Sequence, residues 1–177
     1  MTEPRSSAAR PSVGARIAIS AIAIGTTTAC STYPFAPEAV APGEARADVV
    51  RGMGPPTATY TLADGRERLE YSRMPFGRRT FMIDLDGAGR VVRWEQVLDE
   101  THFQKIVPGM QRADVLRLIG PPSTTGQYHL PRPGITWFYR YESIPKCQWF
   151  EVAFDAASGV VLEGDFPPDP ACPGEWN

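Results

Sequence analysis

One fifteen-residue stretch of this 177-residue chain occurs twice. Residues 42–56 read PGEARADVVRGMGPP and residues 108–122 read PGMQRADVLRLIGPP, an offset of 66. Ten of the fifteen positions are identical without a gap, where about one chance match is expected from ordinary residue usage. A repeat of this kind ties the fold to two copies of one supersecondary unit before any other motif is weighed. The correspondence continues downstream. Phe81, Ile83 and Leu85 match Phe150, Val152 and Phe154, Asp86 matches Asp155, and Val91-Val92 match Val160-Val161, now at an offset of 69. The added residues fall in hairpin loops, where a fold tolerates insertions.

Within each copy the hydrophobic spacing changes period. After Gly43, residues Val49, Val50 and Met53 fall on one side at helical spacing, with Arg46 and Arg51 away from it. Gly54 suits the left-handed residue that closes a helix, and Pro55-Pro56 forbids continuation. The second copy repeats this with Val115, Leu116, Ile119, Gly120 and Pro121-Pro122, and residues 100–106 read as an additional leading helix. Alternating runs follow each helix, at 57–62, 69–71, 81–85 and 91–97, then at 128–130, 135–141, 148–154 and 160–163. Asp-Gly and Pro-x-Gly punctuation between them is the signal of a β-meander. The expected fold class is α+β, with two tandem helix-plus-antiparallel-meander modules at 42–98 and 99–166 and a tail at 167–177. A unit of about 60 residues is marginal alone, so the copies are expected to share a core, with Trp94 and Phe103 at the junction.

The first segment reads as an address. Arg5, Arg10 and Arg16 precede an apolar run, Ile17 to Gly25, followed by Thr27-Thr28-Ala29-Cys30. A positive stretch, a short apolar core and small residues make a secretory signal over 1–29. The small residues before Cys30 are similar to a bacterial lipobox, although Thr27 stands where Leu is usual. This implies lipidation of Cys30, a linker over 30–41, and an outer-membrane anchor facing the periplasm, since Ser31 rather than Asp follows the cysteine. Cys147 and Cys172 then remain as a candidate disulfide in an oxidising compartment. Without residues 1–29 the chain holds 15 basic and 19 acidic residues, net −4. That balance lacks the basic stripe a dedicated nucleic-acid binder needs.

Catalytic chemistry finds little support. His102 and His129, the two histidines, stand 27 positions apart with no carboxylate at ligand spacing, so neither a metal nor a cofactor is expected. Residues 86–89 read as a hairpin turn rather than a phosphate loop, and Glu67, Asp84 and Glu95 as a solvated sheet face. The expectation is a binding protein, not an enzyme. Trp137, Tyr139 and Tyr141 share one strand face, and Phe138 and Arg140 share the other. Exposed Trp, Tyr and Arg are the residue types of binding hot spots, so partner contacts are assigned to Phe138, Trp137 and Tyr139. The turn Arg73-Met74-Pro75-Phe76-Gly77-Arg78-Arg79 supplies further candidates in Phe76 and Arg78, an aromatic flanked by arginines that suits a partner or a membrane interface.

The second copy resembles the SmpA/OmlA (BamE-like) family of small outer-membrane lipoproteins. The likeness rests on Val107-Pro108-Gly109-Met110, Gly120-Pro121-Pro122, Thr136-Trp137-Phe138-Tyr139 and Ser158-Gly159-Val160, in that order across about residues 99–166. It implies a helical lead on a small sheet, and a scaffold that contacts envelope proteins of β-barrel assembly and anionic lipid. The first copy has Glu44 in place of the Met and no Trp in its second strand. Gln111 stands where the family has a capping Thr, and the family's usual member has one module rather than two. The tandem arrangement is also similar to the beta-lactamase inhibitor protein, which implies the alternative of a tethered or secreted inhibitor with a concave sheet.

Overall fold

The computed structural model describes residues 40–129 and 133–171, which lie within one compact unit, Tyr33–Asn177. The first repeat is α1 (Arg46–Met53) followed by β1 (Ala58–Thr61), β2 (Glu67–Ser72), β3 (Thr80–Leu85) and β4 (Val91–Gln96). The second is α2 (Glu100–Phe103), α3 (Arg112–Ile119), β5 (Thr124–Tyr128), β6 (Gly134–Arg140), β7 (Trp149–Asp155) and β8 (Val161–Asp165). Each set of four strands forms its own antiparallel sheet in sequence order, β1-β2-β3-β4 and β5-β6-β7-β8. The class is therefore mixed α+β, with two four-stranded antiparallel sheets.

The repeats match in detail as well as in outline. Each helix ends on a glycine at positive φ, Gly54 at 84° and Gly120 at 79°, a conformation that disfavours any side chain. The carbonyl freed there is taken by a tyrosine hydroxyl: Tyr71 donates to Gly54 and Tyr139 to Gly120, each at 3.1 Å. Each helix start is stitched to the last strand of its own meander. Gly43 N–H donates to Val91 at 2.7 Å, and Gly109 N–H to Val161 at 3.0 Å. The register of the last strand pair shifts at matching places, Asp84/Leu85 and Ala153/Phe154.

Two hydrophobic clusters result. In the first, Val49 and Met53 of α1 cover Leu69, Tyr71, Phe81, Ile83 and Leu85 on one face of the first sheet. In the second, Val115 and Ile119 of α3 and Phe103 of α2 cover Tyr139, Tyr141, Phe150, Val152 and Phe154. Met82, Val97 and Leu98 join this second cluster from the first repeat. Met82 alternates with Phe81 and Ile83, so it projects from the opposite face of its sheet. The first sheet is thus covered on both sides: α1 on one, the helical lead of the second repeat on the other.

This arrangement corrects the expected junction. Trp94 packs beside Phe81, ring centres 6.2 Å apart, in the first cluster, whereas Phe103 stacks on Phe150 at 4.2 Å in the second. They do not meet, because Trp94 pairs with Ile83 in register and faces α1. Several elements also differ in extent, among them the strand expected at 69–71, which spans Glu67–Ser72. The helix expected over 100–106 is helical over 100–103 and continues as turns. Strand β5 starts at Thr124 rather than 128, where Gly126 weakens the strand pattern.

Candidate interaction surfaces

The side of β5–β8 opposite α3 gathers the second repeat's outward residues. Alternation and register place Phe138 opposite Glu151, Glu151 opposite Asp165, Ala153 opposite Glu163, and Arg140 opposite Trp149. Phe138 meets Trp149 edge-on with ring centres 5.5 Å apart, and the Arg140 guanidinium lies 4.9 Å from the Trp149 ring centre. A cation over an indole face is attracted by the ring quadrupole. Gly126, Thr136 and Ala153 run across three strands in register, so this face has a floor of small residues beside an aromatic ridge. Two donors on the ridge, Arg140 Nε and Trp149 Nε1, are buried without a hydrogen-bond partner among the described residues. Burial, with the charges of Asp165 and Glu163 nearby, pushes the Glu151 carboxyl above its ordinary range.

A second surface forms at the ends of two hairpins. In the first repeat the turn after Ser72 exposes Phe76 at 88% of its area, and in the second the turn after Glu142 exposes Ile144 at 94%. The basic residues beside Phe76 are tied inward. Arg78 Nη1 donates to the Tyr141 carbonyl at 3.1 Å, and its other nitrogen lies 3.7 Å from Asp169. Arg79 pairs with both oxygens of Glu142 at 2.9 and 3.1 Å. A cleft of about 340 Å³ lies here, lined by Arg73, Gly77, Arg78, Arg79, Phe81 and Glu142.

Between the repeats runs a line of charge. Arg68 grips Asp84 through two bonds of 2.6 and 2.9 Å and donates to the Arg117 carbonyl of α3 at 3.0 Å. Arg93 adds a bond to Asp84 at 3.0 Å and one to Glu95 at 3.4 Å. His102 of α2 lies 3.5 Å from Glu95 and bonds Asp99 through Nδ1 at 2.9 Å. Burial alone would raise Asp84, but the Arg68 and Arg93 bonds and charges outweigh it and hold the carboxyl below its ordinary range. Glu70 is buried in the same seam, where it accepts from the hydroxyls of Thr57 and Tyr60 at 2.6 Å each. Asp84, expected on a solvated face, is 1% exposed, because α2 and α3 cover that face. Of these contacts, Arg68 to the Arg117 carbonyl and His102 beside Glu95 cross from one repeat to the other.

The residues singled out from sequence separate accordingly. Phe138 faces outward and is half-buried. Tyr139 is fully buried with its hydroxyl on Gly120, which removes it from any contact surface. Trp137 packs against the core, 4.7 Å from the Phe154 ring. Phe76 is open, while Arg78 is engaged within the chain. Cys147 is disulfide-bonded; Cys172, its expected partner, and Cys30 lie outside the described residues. His102 is buried and His129 exposed. Among the described residues no three His, Cys, Asp or Glu side chains gather to hold a metal, and no helix is long and apolar enough to cross a membrane. Sequence reasoning missed Trp149, Glu151, Glu163 and Asp165. Their shared face was readable from strand alternation once β7 and β8 were aligned. The class defined by this fold is a two-repeat α+β protein with one doubly covered sheet and one sheet whose outer face carries aromatic and acidic side chains. No protein-family model matches the chain, and no curated protein matches it.

Proposed function

We propose that this protein is a non-enzymatic binding module, an outer-membrane lipoprotein anchored through Cys30 that faces the periplasm and holds protein partners of envelope assembly. The observation that carries this reading is the outer face of β5–β8, where Phe138, Arg140 and Trp149 form one ridge beside an acidic edge. Aromatic and Arg side chains held together on a rigid sheet suit a protein contact better than catalysis. The lipobox-like run before Cys30 and the likeness of residues 99–166 to the SmpA/OmlA family supply the address and the kind of partner, including the β-barrel assembly machinery. Membrane fractionation of the wild type against Cys30→Ala, with crosslinking and identification of captured proteins, is the test. Membrane retention that needs Cys30, together with envelope-assembly proteins in the crosslinks, supports it. Soluble wild type without such partners overturns it. The tandem of two four-stranded sheets also favours a second reading, an inhibitor-like protein similar to the beta-lactamase inhibitor protein; a single hydrolase or protease among the crosslinks would select it.

A further inference from the structure

The molecule contains its own example of what this sheet face accepts. In the first repeat, the face bearing Arg68, Glu70 and Thr80 receives the last turn of α3. Arg68 donates to the Arg117 carbonyl, and a side-chain carbon added at Gly120 would lie 3.0 Å from Thr80 and 3.2 Å from Glu70. Strand register carries these positions into the second repeat. Glu70 pairs with Met82 as Phe138 pairs with Glu151, and Ser72 pairs with Thr80 as Arg140 pairs with Trp149. The face that holds a helix in repeat one therefore reappears in repeat two with changed chemistry. Where the first copy uses polar side chains on its helix, the second presents two aromatic rings. Where Met82, Arg93 and Glu95 stand in the first, the second has Glu151, Glu163 and Asp165, all acidic.

We infer that the outer face of β5–β8 docks a cationic amphipathic helix of a partner protein, in the manner that β1–β4 docks α3. This rests on the binding-module reading and deepens it by naming the partner's chemistry. Three observations select this occupant. The internal precedent is a helix, lying with its C-terminal turn on the positions now held by Phe138 and Trp149. The Arg140 guanidinium lies on this face against the Trp149 ring, and a guanidinium complements the negative end of a helix. Glu151, Glu163 and Asp165 gather on one edge of the face with Glu151 opposite Asp165 in register, and lysines or arginines on the helix would complement that negative edge. Apolar anchors at helical spacing would meet the aromatic ridge.

The test uses the full chain and a fluorescein-labelled synthetic helix with leucines on one face and lysines on the other, followed by anisotropy. A peptide with glutamates in place of the lysines is the control. The lysine peptide is expected to bind and the glutamate peptide not. Combined Glu151→Gln, Glu163→Gln and Asp165→Asn is expected to weaken binding at least tenfold and flatten its salt dependence, and Phe138→Ala to weaken it similarly. Val92→Ala, at an exposed position of β4, leaves it unchanged. A perturbed Trp149 indole N–H resonance on peptide addition checks the site in the unmutated chain, so a misfolded variant does not decide the matter. No binding, equal binding of both peptides, or full affinity in the triple variant overturns the inference. Sedimentation showing self-association that the triple variant abolishes also overturns it, by assigning the face to a second copy. Envelope partners captured in the Cys30 experiment alongside a null peptide result would leave the binding-module reading standing and remove this one.

Discussion

At Asp84 two opposed effects meet, and geometry decides between them. Burial penalises the carboxylate, but bidentate Arg68 and the nearby Arg93 guanidinium favour it more strongly, and the folded state holds the charged form. A carboxyl depressed on folding contributes stability above its unfolded value, about 4. That contribution is lost as pH falls through the lower folded value. Asp84→Asn leaves the Arg68 charge buried with Glu95 at 3.7 Å as its remaining carboxylate, at a cost of about 3 kcal/mol. Urea titrations from pH 7 to pH 2 should show a lower midpoint for the variant and a shallower loss toward acid. Glu151 has the opposite sign. Its carboxyl is raised on folding, so its contribution is full below the unfolded value and is lost as pH rises through the folded one. Glu151→Gln should raise the thermal midpoint at pH 7 and leave it unchanged at pH 3, where both side chains are neutral; a lower midpoint at pH 7 would contradict the burial of Glu151 beside Asp165 and Glu163.

At the scale of elements, each repeat is built as a helix closed by glycine and clasped by a tyrosine from the second strand. If that clasp is the shared device, Tyr71→Phe and Tyr139→Phe should each cost about 1 kcal/mol, nearly equal in denaturant melts. Removing helix anchors should cost more: Met53→Ala and Ile119→Ala empty fully packed sites, at about 2–5 kcal/mol each. Gly120→Ala should be destabilising, since the positive-φ backbone resists a side chain and Thr80 and Glu70 would have to give way to it. These elements were legible because the repeat showed them twice. The stop at Gly54-Pro55-Pro56 recurs at Gly120-Pro121-Pro122, and the inward Phe81/Ile83/Leu85 pattern recurs at Phe150/Val152/Phe154. The outward residues were harder to assign. Alternation places Trp137 and Phe138 on opposite faces but does not say which face is core. Both were assigned to contact, and Trp137 turned inward, toward Phe154.

For the whole molecule, the asymmetry between the copies matters more than their likeness. A single module has one sheet face under its helix and one bare. Duplication covers the outer face of the first sheet with the second copy's helical lead, whereas no helix among the described residues packs on the outer face of β5–β8. Nothing local announced that Asp84 and Glu70 would be buried; in sequence they alternate with Ile83, Leu69 and Tyr71 like any solvated face. Only the placement of α2 and α3 over that face turns its charges into a seam, and the backbone carbonyl of Arg117 that Arg68 reaches carries no sequence signature. Since the second core includes Met82, Val97 and Leu98 of the first repeat, the two repeats should unfold together, with tryptophan fluorescence and far-ultraviolet dichroism sharing one transition. Two separated transitions would mean that the repeats fold independently.

Amide hydrogen exchange, compared between the wild type and Asp84→Asn in native buffer, probes the seam between the repeats most directly. Protection should fall together in β2–β3 and in α3, because Arg68, Asp84 and the Arg117 carbonyl form one connection across the two repeats. Loss confined to β1–β4, with α3 as protected as before, would contradict a shared body in which the second copy's helices cover the first copy's sheet.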